Sequence, residues 1–132
     1  MAISNAGRVR LAVLGASTAL VSSTALALAP PAWADKIGRC SAGTARYDLD
    51  VDKGAGRFEI NFEADSNVRG QRWRMTLRHD GKRVFRDMRR TDREGEAAFE
   101  RNRPNTAGKD AFRAKAVNVR TGEVCSARIV RR

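Results

Sequence analysis

Few residues in this 132-residue sequence have types and spacing that could support catalysis. The only histidine is His79, which has Asp80 beside it, and no serine or cysteine lies in a recognisable nucleophile motif. The two cysteines, Cys40 and Cys125, stand outside any C-x-x-C or Cys/His cluster, so zinc and redox chemistry have no ligand set. We therefore expect a protein that is not an enzyme and that needs no cofactor and no metal.

One acidic segment has a spacing that could suit calcium. Asp48, Asp50 and Asp52 occupy alternate positions and Glu59 follows, as carboxylates do in an EF-hand loop. The sixth position of such a loop must be glycine, however, and here it is Lys53. Apolar residues also alternate with the aspartates, which is typical of a strand, so we interpret the aspartates as the solvent-exposed face of that strand.

Positive charge is the feature with functional content, since the formal net charge is +11. Arginines recur in two neighbouring segments, 72–78 and 83–90, which would form one patch if the segments pair as a hairpin. Such a patch would bind phosphate-rich partners, including wall polymers, anionic lipid or nucleic acid. The alternative is a solvated face moderated by nearby acidic residues, because no aromatic residues interleave to stack bases. The candidate binding residues are Arg72, Arg74, Arg78, Arg83, Arg86, Arg89 and Arg90.

The N-terminus has the three-part layout of a secretory signal peptide. Arg8 and Arg10 precede an apolar run over residues 11–29, and Ala32-Trp33-Ala34 offers small residues at both positions that a signal peptidase reads. An uncleaved anchor is the alternative, since the run barely reaches the roughly 20 apolar residues of a membrane span. We expect a signal peptide over residues 1–34 and one secreted, extracellular domain over residues 35–132 that is not embedded in a membrane.

Both cysteines lie in the part of the chain that would be exported. Oxidising surroundings favour a bond between Cys40 and Cys125, and the alternative is a pair of free or intermolecular thiols. We predict one intramolecular disulfide that ties the start of the domain to its last strand, in a monomeric protein.

Alternating apolar residues predict strands that would position the arginines. Trp73, Met75 and Leu77 share one face of their segment and the arginines share the other, which makes Trp73 a core residue rather than a ligand platform. Turn signals separate the runs, among them Asp80-Gly81, and segment 82–90 is irregular enough to predict a bulge or an edge strand. About seven short strands without a helical period are typical of an antiparallel sandwich or barrel.

The second half of the domain resembles a known family. The sequence T-D-R-E-G-E-A-A-F at residues 91–99, the T-A-G at 106–108 and the F-R-A-K-A at 112–116 are similar to bacterial immunoglobulin-like domains of the invasin and intimin type. The resemblance covers residues 71–119 and implies an immunoglobulin-like antiparallel β-sandwich of about seven strands. This chain departs from the family in being a single domain with a cysteine pair, where the family builds long surface arrays.

Together these features predict a secreted bacterial protein that acts as a non-catalytic extracellular binding or structural module for an unknown extracellular protein. The alternative is an exported basic protein that binds anionic polymer through its arginine-rich strand face. A third hypothesis is a small secreted enzyme or enzyme inhibitor with its determinants in the loop at residues 102–109. Salt separates the first two, because polyanion binding falls steeply with ionic strength.

Overall fold

The computed structural model describes residues 33–132, which form eight β-strands and no helix. The strands are β1 (Trp33–Arg39), β2 (Arg46–Lys53), β3 (Arg57–Asp65), β4 (Arg72–His79), β5 (Lys82–Arg90), β6 (Glu96–Pro104), β7 (Asp110–Asn118) and β8 (Val124–Arg131). They pair antiparallel in two four-stranded sheets, with the order β1-β2-β3-β6 in the first sheet and β5-β4-β7-β8 in the second. The fold is therefore an all-β antiparallel sandwich, one of the two architectures that the alternation predicted, with eight strands where about seven were expected.

The strand that the sequence pattern did not reveal is β1. It begins at Trp33 and pairs along its whole length with β2, so that Ala34 lies opposite Val51. Residues 1–32 of the predicted signal peptide lie outside the described residues, and a chain cleaved after Ala34 would keep residues 35–39 of this strand. In the described part of the chain, no helix is long and apolar enough to span a membrane.

The core lies between the two sheets and is formed by alternate residues of the strands, most regularly in β3, β4 and β7. Trp73, Met75 and Leu77 of β4 are almost fully buried, which confirms Trp73 as a core residue. Phe58 of β3 meets Phe112 of β7 edge to face, with ring centroids 5.2 Å apart. This inward packing forces the remaining residues of β4, which include its arginines, to project from the outer surface of the second sheet.

The order of the second sheet follows the immunoglobulin pattern. If β4, β7 and β8 are taken as the C, F and G strands, β5 occupies the C′ position and the buried tryptophan lies on strand C. Three connections cross between the sheets: the one from β3 to β4, the one from β5 to β6 and the one from β6 to β7. Consequently the hairpin of β4 and β5 lies beside the hairpin of β7 and β8, although β6 separates them in sequence.

The hairpin between β4 and β5 has the predicted turn, in which Asp80 and Gly81 both have positive φ angles of 50° and 80°. The register of the pair shifts between Leu77 and Arg78, and Val84 is the extra residue on the other strand. Strand β5 also lies at the edge of its sheet. Both features that the irregular pattern predicted, a bulge and an edge position, are therefore present in the same strand.

Cys40 and Cys125 form the predicted intramolecular disulfide, with Cα atoms 4.3 Å apart. It joins the end of β1 to β8 and closes 85 positions of the chain. Beside it the buried carboxylate of Glu123 accepts hydrogen bonds from Thr44 Oγ1 and, at 2.8 Å, from the Ala45 amide. A disulfide of this kind is typical of an oxidising, non-cytoplasmic environment.

Candidate anion-binding face

The outer surface of the second sheet is a continuous positively charged surface, which we call the basic face. The four strands lie side by side, and residues paired directly across neighbouring strands project from the same side of a sheet. Starting from the outward residues of β4, the registers of β5, β7 and β8 identify nine cationic side chains and no acidic one on this surface. They are Arg72, Arg74, Arg78, Arg83, Arg86, Arg90, Arg113, Lys115 and Arg128.

Four of these arginines form a row that crosses the whole sheet. Arg78 lies opposite Arg83 of β5 on one side and Arg113 of β7 on the other, and Arg113 lies opposite Arg128 of β8. Neighbouring strands are about 4.8 Å apart, so the row extends over roughly 14 Å. All four side chains are exposed. The row presents a line of guanidinium groups, and a guanidinium group can form two parallel hydrogen bonds with a phosphate or carboxylate.

None of the four arginines in this row has an ion-pair partner within 4 Å among residues 33–132. The ion pair of Arg89 with Asp87 does not involve the row, and neither do the contacts of His79 with Asp80 and Asp110. Arg78 donates a hydrogen bond from Nη1 to the Gly81 carbonyl, 3.0 Å away. A carbonyl is uncharged, so this bond does not neutralise the guanidinium group. Like charges directly opposite each other on paired strands are destabilising. An anion that binds along the row would relieve this repulsion.

Concavities lie at both ends of the basic face. The first, of about 440 Å³, includes three residues of the arginine row together with Lys115, and Asp80 at its margin is the one acidic residue that lines it. The second, of about 490 Å³, lies at the other end of β4 and is lined by Arg69, Arg72, Arg90 and Arg120 among others. Each concavity thus offers several cations to one bound anionic group.

Six of the seven predicted binding residues lie on the basic face, and Arg89 does not. Arg89 lies opposite Trp73, so it projects from the inward side of β5. Its Nε lies 3.1 Å from Asp87 Oδ2, and its guanidinium lies 5.9 Å from the centre of the Phe85 ring. Arg89 and Arg90 are consecutive, and a strand sends consecutive side chains to opposite faces, so only one of them could lie on the basic face. The extra residue in segment 83–90 hid which one it is.

Three cations of the basic face were not among the predicted residues. Arg113 and Lys115 come from β7 and Arg128 comes from β8. Strand β7 pairs with β4, but the chain between them passes through β6 of the other sheet. The alternation of these three cations with buried residues marks them as outward-facing. Nothing local in the sequence indicates which sheet contains β7, however, so their proximity to Arg78 could not be predicted.

The outer surface of the first sheet carries the opposite charge, and we call it the acidic face. Its acidic residues are Asp35, Asp48, Asp50, Asp52, Glu59, Glu63, Asp65, Glu96 and Glu100, and the cations among them are Arg39, Arg46 and Arg57. The aspartates of β2 belong to a regular strand, which confirms their interpretation as a strand face and excludes an EF-hand loop at this position.

The acidic face is electrostatically strained. Partial burial raises the pKa of Asp50, and the charges of Asp48, Asp35 and Asp52 raise it further. The pKa of Glu63 is raised for the same reasons, first by burial and then by Glu96 and other nearby carboxylates. In both residues burial first, and neighbouring carboxylates second, disfavour the ionised form.

His79 belongs to a buried network rather than to an open site. Its Nε2 lies 2.7 Å from Asp110 Oδ1, and its Nδ1 accepts a hydrogen bond of 3.3 Å from Arg103 Nε. Because Nδ1 is an acceptor, the ring proton lies on Nε2, and Nε2 donates a hydrogen bond to the Asp110 carboxylate. Thr106 also donates to Asp110 from both its hydroxyl and its amide. Burial raises the pKa of Asp110, but these hydrogen bonds more than offset it and leave that pKa below its usual value.

This network does not fit a metal site well. His79 Nε2, Asp110 and Asp80 offer ligand atoms within 4.8 Å of one another. A metal ion at Nε2 would displace the hydrogen bond to Asp110 and would leave a guanidinium against the other ring nitrogen, where metal-bound histidines normally donate to an acceptor. The geometry instead links β4, β6 and β7 at one end of the sandwich.

No protein-family model matches this sequence, and no curated protein matches it.

Proposed function

We propose that this protein is a secreted, non-catalytic binding module that holds an anionic polymer on its basic face. The observation that carries the proposal is the row formed by Arg83, Arg78, Arg113 and Arg128, which has no ion-pair partner within 4 Å in the described part of the chain. The positive charges of the row repel each other in the free protein. A bound anion removes this repulsion, which favours the complex.

The extent of the basic face favours a polymer over a small anion. The outward residues of β4 from Arg72 to Arg78 are separated by six positions, or about 20 Å along the strand, and the arginine row adds roughly 14 Å across it. A single phosphate contacts only a small part of this area. A chain with repeated phosphate, sulfate or carboxylate groups can contact the row and both terminal concavities at once.

The chemistry of the face favours recognition of charge over recognition of bases. Its uncharged members are aliphatic or hydroxylic, among them Met88, Thr76 and Val117, and no aromatic ring projects from it. Stacking of nucleic-acid bases therefore has no platform here. Contacts of this type are independent of polymer sequence and depend strongly on salt.

Export and the extracellular location are part of the same proposal. They are supported by the layout of residues 1–34 and by the disulfide, which persists in oxidising surroundings. The resemblance to invasin-type domains supports a bacterial extracellular module, and the immunoglobulin-like sandwich agrees with it. Recognition of a protein partner through the loops is the competing hypothesis.

The experiment is retention of the purified protein on columns of immobilised polyphosphate and heparin, eluted with a salt gradient. We expect elution well above physiological salt for the natural protein. A triple variant of the row, Arg78→Glu, Arg113→Glu and Arg128→Glu, should elute near the start of the gradient. The matched control, Arg39→Glu, Arg46→Glu and Arg57→Glu, changes the net charge equally but lies on the opposite sheet.

The control should elute close to the natural protein if the basic face is the binding surface. Equal losses in the two variants would show a bulk charge effect and would contradict the proposal. Near-unchanged elution of the row variant would reduce the row to a solvated surface and leave the protein-partner hypothesis in its place. Thermal unfolding of each variant confirms that the comparison is made between folded proteins.

A further inference from the structure

The two outer surfaces of the sandwich have opposite charge, which the function proposed above does not use. The basic face has nine cations and no acidic residue, whereas the acidic face has nine carboxylates and only Arg39, Arg46 and Arg57 among them. The surfaces lie back to back on sheets that pack about 10 Å apart. The domain is therefore polar across its thickness.

Both charged surfaces are built on the same kind of lattice. Each is a four-stranded antiparallel sheet, and its outward residues recur about every 6.7 Å along a strand and about every 4.8 Å between strands. Rows of carboxylates such as Asp50 and Glu100 on the first sheet thus have the same spacing as the rows of arginines on the second. Two twisted sheets of this kind pack face to face with strands inclined by about 30°.

Exposed apolar side chains lie on both surfaces as well. Ile37 lies beside Asp48 on the acidic face and is 65% exposed. Met88 and Val130 project from the basic face and are each about 40% exposed. Apolar groups within a charged surface are typical of interfaces, whose centres lose water on contact.

The geometry points to head-to-tail association of this chain, in which the basic face of one copy packs on the acidic face of the next. The contact is heterologous, because each copy contributes a different surface. Since the two surfaces lie on opposite sides of the domain, such contacts do not close into a dimer and instead extend into an open stack. This proposal differs from the monomer that the sequence led us to expect.

The size of the surfaces makes this association weak and sensitive to salt. Four strands of about eight residues give a surface of roughly 500 Å², so a contact buries about 1,000 Å² in total, at the lower limit for a specific interface. Charge provides most of the attraction, and salt screens exposed charges over about 10 Å at 0.1 M ionic strength. Soluble polyphosphate should compete for the basic face and dissociate the stack.

The test uses sedimentation equilibrium of the purified protein at 20 mM and 500 mM salt. We expect a weight-average mass that rises with protein concentration at low salt and falls to the monomer mass at high salt. A monomer at every concentration in 20 mM salt would overturn the proposal. The same result would leave polyanion retention untouched, so the two proposals fail separately.

Two variants each remove one half of the contact. The acidic-face variant is Asp50→Lys, Glu63→Lys and Glu100→Lys, and it should be monomeric while keeping its retention on polyphosphate. The basic-face variant is Arg78→Glu, Arg86→Glu, Arg113→Glu and Lys115→Glu, and it should also be monomeric. An equimolar mixture should form heterodimers, because the intact basic face of the first variant can pack on the intact acidic face of the second. The heterodimers should not grow, because the two faces that remain free are the altered ones.

The matched control for the basic-face variant carries four charge reversals in turns, at the end of β2 or at the chain end, namely Lys53→Glu, Arg93→Glu, Lys109→Glu and Arg132→Glu. It should associate like the natural protein. Association by either single-face variant alone, failure of the mixture to form heterodimers, or loss of association in the control to the same extent as in the basic-face variant would each overturn the proposal.

Discussion

Arg78 of β4 lies directly opposite Arg113 of β7, and no acidic residue projects from the surface that they share. Opposed like charges cost stability, typically by a few tenths of a kcal/mol to about 1 kcal/mol. The basic face therefore lowers the stability of the domain that carries it, which is expected of a binding surface and not of a surface that is only solvated.

This relationship predicts that Arg113→Thr stabilises the protein. Threonine favours strands and removes one charge from the centre of the row, so we expect the free energy of unfolding to rise by about 0.5 kcal/mol at low salt. Urea unfolding measures the change. The gain should shrink in 0.5 M salt because the repulsion is then screened. A loss of stability at both salt concentrations would contradict repulsion within the row.

The alternation that predicts the strands also predicts which side of each strand is buried. Trp73, Met75 and Leu77 follow a strict period of two, so the core of β4 and the outward direction of its arginines follow from the sequence alone. Pairing between β4 and β5 was also predictable, because Asp80-Gly81 closes a short hairpin. Arg89 was misplaced because a segment with an extra residue does not show which of its arginines share a face.

Long-range pairing is where prediction from the sequence stopped. Pairing of strands joined by a short turn can be predicted from the turn residues. The pairing of β4 with β7 cannot, because the chain between them crosses to the other sheet and back. The arginine row needs that contact, and so does the network of His79 with Asp110, which are 31 positions apart. Strand β1 was missed for a different reason, since its only large exposed apolar residue, Ile37, faces solvent.

The buried pair of His79 and Asp110 predicts a strong dependence of stability on both partners. His79→Ala removes a hydrogen-bond donor from the fully buried Asp110 carboxylate. The other oxygen of this carboxylate, Oδ2, already lacks a hydrogen-bond partner. We expect a loss of about 3 kcal/mol in the free energy of unfolding. The double variant His79→Ala and Asp110→Ala should be less destabilised than the sum of the two single changes, since it buries no unpaired charge. Additive losses in a urea double-mutant cycle would contradict the pairing.

Two groups of carboxylates predict a stability maximum at mildly acidic pH. The pKa values of Asp48, Asp50 and Glu63 are raised, chiefly by burial and then by neighbouring carboxylates, so protonation relieves the folded state and stability rises as pH falls from 7 through these pKa values. The pKa of Asp110 is lowered below 3.8, so its stabilising contribution is complete above that value and is lost as pH falls through the lowered pKa.

The melting temperature should therefore rise from pH 7 to about pH 4–5 and fall at lower pH. Differential scanning calorimetry across this range measures both limbs. Asp110→Asn should weaken the acid limb and leave the rise between pH 7 and 5 in place. A melting temperature that falls continuously from pH 7 to 4 would contradict strain on the acidic face.

Gly95, in the turn before β6, predicts an unusually severe effect of alanine. Its φ angle is +87°, and an added Cβ would lie 2.6 Å from the Asn67 carbonyl carbon and clash with the Val68 amide. Gly81 has a similar φ of +80°, but nothing lies within 4 Å of the position of a Cβ. We expect Gly81→Ala to cost about 1 kcal/mol from backbone strain alone and Gly95→Ala to cost several times more. Equal losses in thermal unfolding would show that packing against Asn67 does not matter.

The disulfide between Cys40 and Cys125 predicts the largest single contribution to stability. It closes 85 positions, and the chain-entropy model then gives roughly 4 kcal/mol. For a domain of this size such a loss lowers the melting temperature by roughly 15–30 °C. The suitable variant replaces both residues with alanine, because Cys125 is fully buried and a serine hydroxyl would have to find a partner there.

The double-alanine variant should still fold, since hydrogen bonds join the same two segments independently of sulfur. Glu123 continues to accept from Thr44 and Ala45, and the backbone of Ser41 donates to the Val124 carbonyl at 2.8 Å. Adding Glu123→Ala to this variant leaves only the hydrogen bonds between Ser41 and Val124 in this link and should release β1, which pairs only with β2 in its sheet. Hydrogen exchange measures the release: amides of β1 should lose protection in the triple variant while those of β4 and β7 keep most of theirs. Equal loss of protection in all strands would show that β1 unfolds only with the whole domain, and would contradict a local role for this link.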